Sequence, residues 1–280
     1  MDKDLKRLVN LKEVLEAYKH ISLTKDEILD AIIAAKIKKE KLLDQERIKL
    51  IEEQNRRRKS EKFDFMAIST FMMKRAHNLY GGKFSIDNYN QPIFEMMCYY
   101  FNNDSMFLTI ANAYGVKNTS LDKGLLLCGN FGTGKSWLMK LFHQNKRQCF
   151  FIREAKKIAE QFATSKEKEI PEEYITPFEN GYMDGNVFYQ PYSGLCIDDL
   201  GAEEVKNNFG NKSNVIGEII ERRYSFLSPN PDVPKLVGNM CHGTTNLSAE
   251  ELKTFYGERV TSRMREIFNF IECKGPDRRK

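Results

Sequence analysis

Residues 125–136 read Leu125-Leu126-Leu127-Cys128-Gly129-Asn130-Phe131-Gly132-Thr133-Gly134-Lys135-Ser136. The four apolar residues make the short continuous run that a buried parallel strand requires. The next eight fit G-x-x-x-x-G-K-[ST], and Trp137, Leu138, Leu141 and Phe142 then recur at helical spacing. Strand, loop and helix in that order form the context in which this pattern cradles a polyphosphate. The glycines let the backbone curl so that its N–H groups point inward. The start of the helix adds partial positive charge. Gly129 to Ser136 are therefore the candidate ATP-binding residues. Lys135 is placed for the outer phosphates, and the Ser136 hydroxyl is a candidate ligand for Mg2+.

A loop of this kind needs a second carboxylate. Leu195-Cys196-Ile197-Asp198-Asp199-Leu200-Gly201 supplies it, because an apolar run ends in two acids. The acids then lie at the carboxyl end of a strand, where open α/β sheets bind their ligands. Asp198 is the candidate on the magnesium side, and Asp199 the candidate base or water-orienting group. Glu203 and Glu204 follow closely enough to compete for either role.

A third cluster lies further on. The run Leu236 to Cys241 leads into Thr244-Thr245-Asn246-Leu247-Ser248, with Gly238 and Gly243 weakening it as a strand. A polar residue at the tip of such a strand, beside the loop strand, would meet the last phosphate or its water. Ser248 and Glu251 form a capping box that opens a helix. That helix leads to Tyr256-Gly257-Glu258-Arg259-Val260-Thr261-Ser262-Arg263-Met264. Arg259 and Arg263 are four apart and share one helix face. They read either as functional cations or as surface arginines bridged to Glu258 or Glu266.

Taken together, GNFGTGKS, CIDDLG, TTNLSAEEL and YGERVTSRM resemble the DnaC/IstB branch of AAA+ ATPases. The resemblance covers roughly residues 100–275. It implies an α/β fold, an AAA+ P-loop core of parallel sheet flanked by helices. It makes Gly129–Ser136 the Walker A loop, Asp198-Asp199 Walker B and Asn246 sensor I. Arg263 becomes an arginine finger that reaches a neighbouring subunit's ATP, with Arg259 near it. The branch lacks the helical lid of most AAA+ proteins, and the stretch after Asn246 is too short for one. The implied activity is ATP hydrolysis coupled to assembly on DNA by a cytoplasmic helicase loader. The implied partners are a replicative helicase, single-stranded DNA and further copies of the chain. An IstB-like transposition helper is the alternative within the branch. A P-loop small-molecule kinase and a non-hydrolysing adaptor, in which Asp199 is inert, are the alternatives outside it. The branch also carries an extra helix that helps bind a single strand, here matched to Ile152–Tyr192. That stretch holds Arg153, Lys156, Lys157, Lys166 and Lys168, then Tyr174, Phe178, Tyr182, Phe188, Tyr189 and Tyr192. Bases stack and phosphates pair on such a surface, although the same aromatics would also serve as core.

Working outward, residues 1–100 read as a helical partner-binding region and 101–280 as the ATPase domain. Leu5, Leu8, Leu11, Leu15 and Tyr18 share one helix face. Thr24 and Glu27 form a capping box for a second helix, whose apolar stripe thins after Leu43 and whose end is basic, Arg56 to Lys59. A third helix is expected from Asp64 to Tyr80, with Phe65, Ile68, Met72 and Leu79 inside and Gly81-Gly82 ending it. Pro92 suits the first turn of a fourth. Ile267 to Ile271 reads as a last strand, followed by a basic tail. The chain has 44 Lys and Arg against 39 Asp and Glu, a net charge of +5, compatible with nucleic acid without requiring it. Six cysteines without a CxxC pair argue against zinc and disulfides and fit a reducing compartment. The composition excludes collagen, disorder and a membrane span, and the first residues are not a secretion signal.

Overall fold

The computed structural model describes residues 16, 19–60, 62–145, 149–165, 170–175, 182–184, 187–189, 194–203, 207–208, 211–212, 214–227 and 241–279. The chain divides into two compact units, 1–51 and 52–280. Helix α1, Lys25–Ser60, supplies most of the described first unit. It opens on the expected box: Glu27 Oε2 accepts from Thr24 N at 2.8 Å, and Thr24 Oγ1 accepts from Glu27 N at 3.3 Å. Ile28, Leu29, Ile32, Ile33, Ile37, Leu42 and Leu43 are all exposed along it. The periodic residues Leu5, Leu8, Leu11, Leu15 and Tyr18 lie outside the described residues, as do the side chains of Arg56–Lys59.

The second unit begins with helices α2 (Phe65–Tyr80), α3 (Gln91–Phe101) and α4 (Met106–Ala113). Asp64 caps α2, accepting from Met66 N and Ala67 N, and Gly81 at φ 60° ends it. Leu79, expected inside, is exposed, while Met72 is buried. Leu79 shares the face of Met72, two turns on, but stands in the last turn of the helix. Then come β1 (Gly124–Cys128), α5 (Lys135–Phe142), β2 (Phe150–Glu154), α6 (Ala155–Thr164), α7 (Glu172–Ile175), and the antiparallel pair β3 (Tyr182–Asp184) and β4 (Val187–Tyr189). They are followed by β5 (Gly194–Leu200), the two-residue pair β6 (Asn207–Asn208) and β7 (Asn211–Lys212), α8 (Val215–Leu227), β8 (Cys241–Thr245), α9 (Ala249–Ile267) and β9 (Phe268–Glu272).

Five of the strands form one parallel sheet in the order β2-β5-β8-β1-β9. Side chains alternate between its faces. Leu125, Leu127, Cys196 and Ile271 pack with α2–α5 on one side. Leu126, Leu195, Ile197 and Cys241 pack with α6, α8 and α9 on the other. Both faces are buried, which is why these strands read as near-continuous apolar runs. The expected fold class, a parallel sheet flanked by helices, is therefore met. Among the described residues no helix is long and apolar enough to cross a membrane.

The third strand of the sequence reading differs in its bounds. It runs from Cys241 to Thr245, and residues 236–240 lie outside the described set. Gly243 sits mid-strand because there is no room for more. A Cβ there would stand 2.7 Å from Leu200 and 3.0 Å from Leu126, on the two flanking strands.

Candidate functional site

β8 lies between β1 and β5, so the strand that leads into Asn246 separates the loop strand from the acidic strand. This ordering puts Asn246 between the two motifs. Its Oδ1 accepts from Lys135 Nζ at 2.7 Å, and its Nδ2 donates to Asp199 Oδ1 at 3.3 Å. The amide orientation follows from charge, since the reverse would aim an NH2 group at an ammonium. Lys135, at the first turn of α5, is buried. Its other two protons go to Gly129 O at 2.7 Å and Asn130 O at 2.8 Å. All three ammonium donors are thus placed. Burial lowers the Lys135 pKa below its ordinary value, against the opposing pull of Asp199 and Asp198.

The acids owe their geometry to an irregularity. Ile197 pairs with Gly243, but Leu200 pairs with Thr245, so β5 holds one more residue than β8 over this span. That is a β-bulge at Asp198-Asp199, and Asp199 takes φ 57° within it. In a regular strand the two side chains would face opposite sides of the sheet. Here both reach the loop cluster. Ser136 Oγ donates to Asp198 Oδ1 at 2.8 Å, and Asp199 meets Asn246. Thr244 stitches the bulge: its Oγ1 donates to Asp198 Oδ1 at 2.6 Å and accepts from Asp199 N at 2.9 Å. Burial, reinforced by the Asp198 carboxylate, raises Asp199 above its ordinary pKa. Sequence reasoning named Thr244 without giving it a role. Its signal was only its place two residues before Asn246.

Glu203 does not compete for the acid roles. It is buried, with Oε2 accepting from Gly201 N at 2.9 Å and Oε1 from the Tyr256 hydroxyl at 2.5 Å. Glu204 lies outside the described residues.

Of the eight loop residues, Phe131 is exposed, and Thr133 is buried with its hydroxyl on Asn130 O at 3.1 Å. Gly132 and Gly134 adopt φ 74° and 95°, values that only glycine takes without strain. The site as a whole offers a left-handed backbone loop, a buried ammonium, a hydroxyl beside a carboxylate, and a second carboxylate on an amide. These residues fit a magnesium polyphosphate. The metal would take Ser136 and Asp198 from the protein and its remaining oxygens from phosphate and water.

The two arginines stand elsewhere, with partners in their own chain. Ser248 and Glu251 open α9 with the expected box, and the helix kinks at Gly257. Beyond the kink, the Arg263 guanidinium lies 4.1 Å from the Tyr224 ring centre and 3.7 Å from Glu266 Oε1. Arg259 Nε is 2.7 Å from Glu221 Oε1. Glu258, the other expected partner, pairs with Lys253 instead. In the stretch matched to strand binding, Lys156 and Lys157 are exposed on α6, and Lys157 pairs with Glu154. Tyr174 belongs to the core: it is buried, with its hydroxyl on Gln161 Oε1 at 2.7 Å. Lys166, Lys168, Phe178 and Tyr192 lie outside the described residues, as do the side chains of Tyr182, Phe188 and Tyr189.

No family model and no curated protein matches this chain. Solved structures do. One titled DnaI is 20% identical over 69% of this chain and 85% of its own, with a TM-score of 0.42. A DnaC helicase loader is also 20% identical, over 72% of this chain and 99% of its own, with a TM-score of 0.42. AMPPCP-bound DnaA from Aquifex aeolicus is 16% identical over 70% of this chain and 50% of its own, with a TM-score of 0.36.

Proposed function

We propose that this chain binds ATP with Mg2+ at Gly129–Ser136, hydrolyses it, and uses the nucleotide state to deliver a replicative helicase to single-stranded DNA. The observation that carries the nucleotide reading is the convergence of Lys135, Ser136, Asp198, Asp199 and Asn246 on one loop. The loader reading is supported by the order of motifs along the chain and by α1. A helix that exposes seven aliphatic side chains is a surface for an apolar partner. The functional division into residues 1–100 and 101–280 belongs to the same proposal, as does assembly into an oligomer.

Each residue of the site has a task in this mechanism. Lys135 exchanges one of its three acceptors for a phosphate oxygen. Ser136 and Asp198, already in contact, hold the magnesium side. The metal supplies neutralisation of phosphate charge when bound. Asp199, buried and held by Asn246, orients the attacking water. Asn246 touches both Lys135 and Asp199, so loss of the last phosphate alters both of its bonds at once. Arg263 supplies transition-state charge to a neighbouring copy.

The test is ATP turnover by the full chain with and without single-stranded DNA, together with capture of a replicative helicase by the full chain and by a chain lacking residues 1–51. Turnover that responds to DNA, with helicase capture lost on the deletion, is expected. Turnover indifferent to DNA, alongside phosphorylation of a small acceptor, would make the protein a kinase instead. Nucleotide binding without turnover would make it an adaptor.

A further inference from the structure

The segment that follows β9, Cys273–Arg279, lies against the phosphate loop. Cys273 N donates to Cys128 O at 2.6 Å. A Cβ on Gly129 would stand 2.4 Å from Cys273 O, and one on Gly132 would stand 1.8 Å from Asp277 Oδ1. Arg278 binds the loop backbone twice, its N to Gly132 O at 3.0 Å and its Nε to Thr133 O at 3.4 Å. Its two terminal nitrogens grip Asp87, to Oδ2 at 2.6 Å and Oδ1 at 3.0 Å. Asp87 is itself fixed at the turn before α3, accepting from Tyr89 N and Asn90 N. The Arg278 guanidinium holds the Asp87 carboxyl well below the usual range, at about 2.

A trans peptide sets its C=O and the following N–H in opposite directions. Two carbonyls, of Gly132 and Thr133, are turned toward Arg278. The N–H groups of Thr133 and Gly134 must then point away from it, on the opposite side of the loop backbone. Those are groups that a phosphate oxygen needs, and a loop that already presents them need not spend binding energy on ordering. Asp87 neutralises and aims the guanidinium. The cation therefore acts on the loop carbonyls and does not stand as a free competitor for the phosphate.

We propose that Arg278 is a positioning residue for the phosphate loop, held by Asp87 and preforming the backbone cradle for the polyphosphate of a nucleoside triphosphate. The proposal rests on the nucleotide-binding reading. It is tested in the full chain by binding of a fluorescent ATP analogue with Mg2+, by competition with inorganic tripolyphosphate, and by steady-state turnover. Arg278→Ala is expected to weaken both ligands about tenfold, the scale of one or two charge-assisted hydrogen bonds. The loss falls in KM, with kcat changed by no more than about twofold, because the loop is used equally in ground and transition states. Arg278→Lys restores part of the affinity, since an ammonium reaches a carbonyl but lacks the fork. Asp87→Asn shifts affinity in the same direction by less. If Arg278→Ala does not fold, Arg278→Lys and Asp87→Asn carry the test by the same measurements. A folded Arg278→Ala that binds tripolyphosphate like the unaltered chain, while Lys135→Ala does not, overturns the proposal and leaves the nucleotide site standing. Tighter binding also overturns it, by making the segment a cover. If the unaltered chain binds neither ligand, both readings fail.

Discussion

At the scale of single residues, the site turns on hydroxyls and amides as much as on charges. Thr244 accepts from one acid's backbone and donates to the other's side chain. Thr244→Val keeps the shape and removes both bonds, leaving Asp199 N unmatched and Asp198 Oδ1 with Ser136 alone. It should cost about 1–3 kcal/mol in urea unfolding and slow turnover through Asp198. Retained turnover would mean that the bulge holds itself. Asp199 leads to a pH prediction. Its raised pKa means that its ionised form is disfavoured in the folded chain. The protonated form's contribution to stability is present below the unfolded pKa and is lost as pH rises through the folded one. A water-orienting Asp199 must be ionised, so the acid limb of turnover should lie above the ordinary carboxylate range. Asp199→Asn should abolish most turnover while sparing nucleotide binding. An acid limb at the ordinary carboxylate value would mean that another group sets it. Lys135→Ala, by contrast, should remove binding itself in a chain that still folds.

At the scale of elements, what could be read from the sequence was what is local. A strand–loop–helix, a capping box at Thr24 and another at Ser248 are each complete within a few residues, and each forms as expected. The missing part was long-range. No spacing rule places β8 between β1 and β5, yet that order alone brings Asn246 to Lys135. No pattern links Asp87 to Arg278 across 191 residues. Glu203 looked available because acids near a strand end usually are, but Tyr256, on a helix 53 residues away, takes it. Tyr174 reads from sequence either as a stacking aromatic or as core, and it is in the core between α6 and α8, where its carbonyl also accepts from Arg223 Nε at 2.6 Å. The weak apolar character of the β8 run has a physical cause as well. Gly243 is the one residue that fits between Leu126 and Leu200, so hydrophobicity yields there to close packing. Gly243→Ala should therefore destabilise the sheet by about 1–3 kcal/mol, as overpacking does. A lowered urea midpoint with unchanged slope is the expected signature. An unchanged midpoint would show that the three strands can spread.

At the scale of the whole molecule, the open issue is whether one chain completes its own site. Among the described residues no arginine is bonded to Lys135, Asp198 or Asp199, although Arg279 lies near enough to oppose the rise in the Asp199 pKa, and Arg263 lies instead over Tyr224 beside Glu266. Those tethers are weak. A partly exposed ion pair contributes about 0–1 kcal/mol, and an exposed cation–π contact about 0.5–1 kcal/mol. A finger in phosphoryl transfer is worth on the order of 10³-fold in rate or more, about 4 kcal/mol. A neighbour's phosphate can therefore draw Arg263 away from Tyr224 at small cost, whereas a lone chain has no reason to release it. Lys135→Ala and Arg263→Ala proteins should each be nearly inactive. Mixed on single-stranded DNA, they should recover part of the turnover, because some interfaces then pair an intact loop with an intact Arg263. Tyr224→Phe, which keeps the ring and removes the hydroxyl bond to Glu266, should leave that recovery in place. If a mixture shown to co-assemble recovers nothing, Arg263 serves only its own chain, and its contact with Tyr224 is structural.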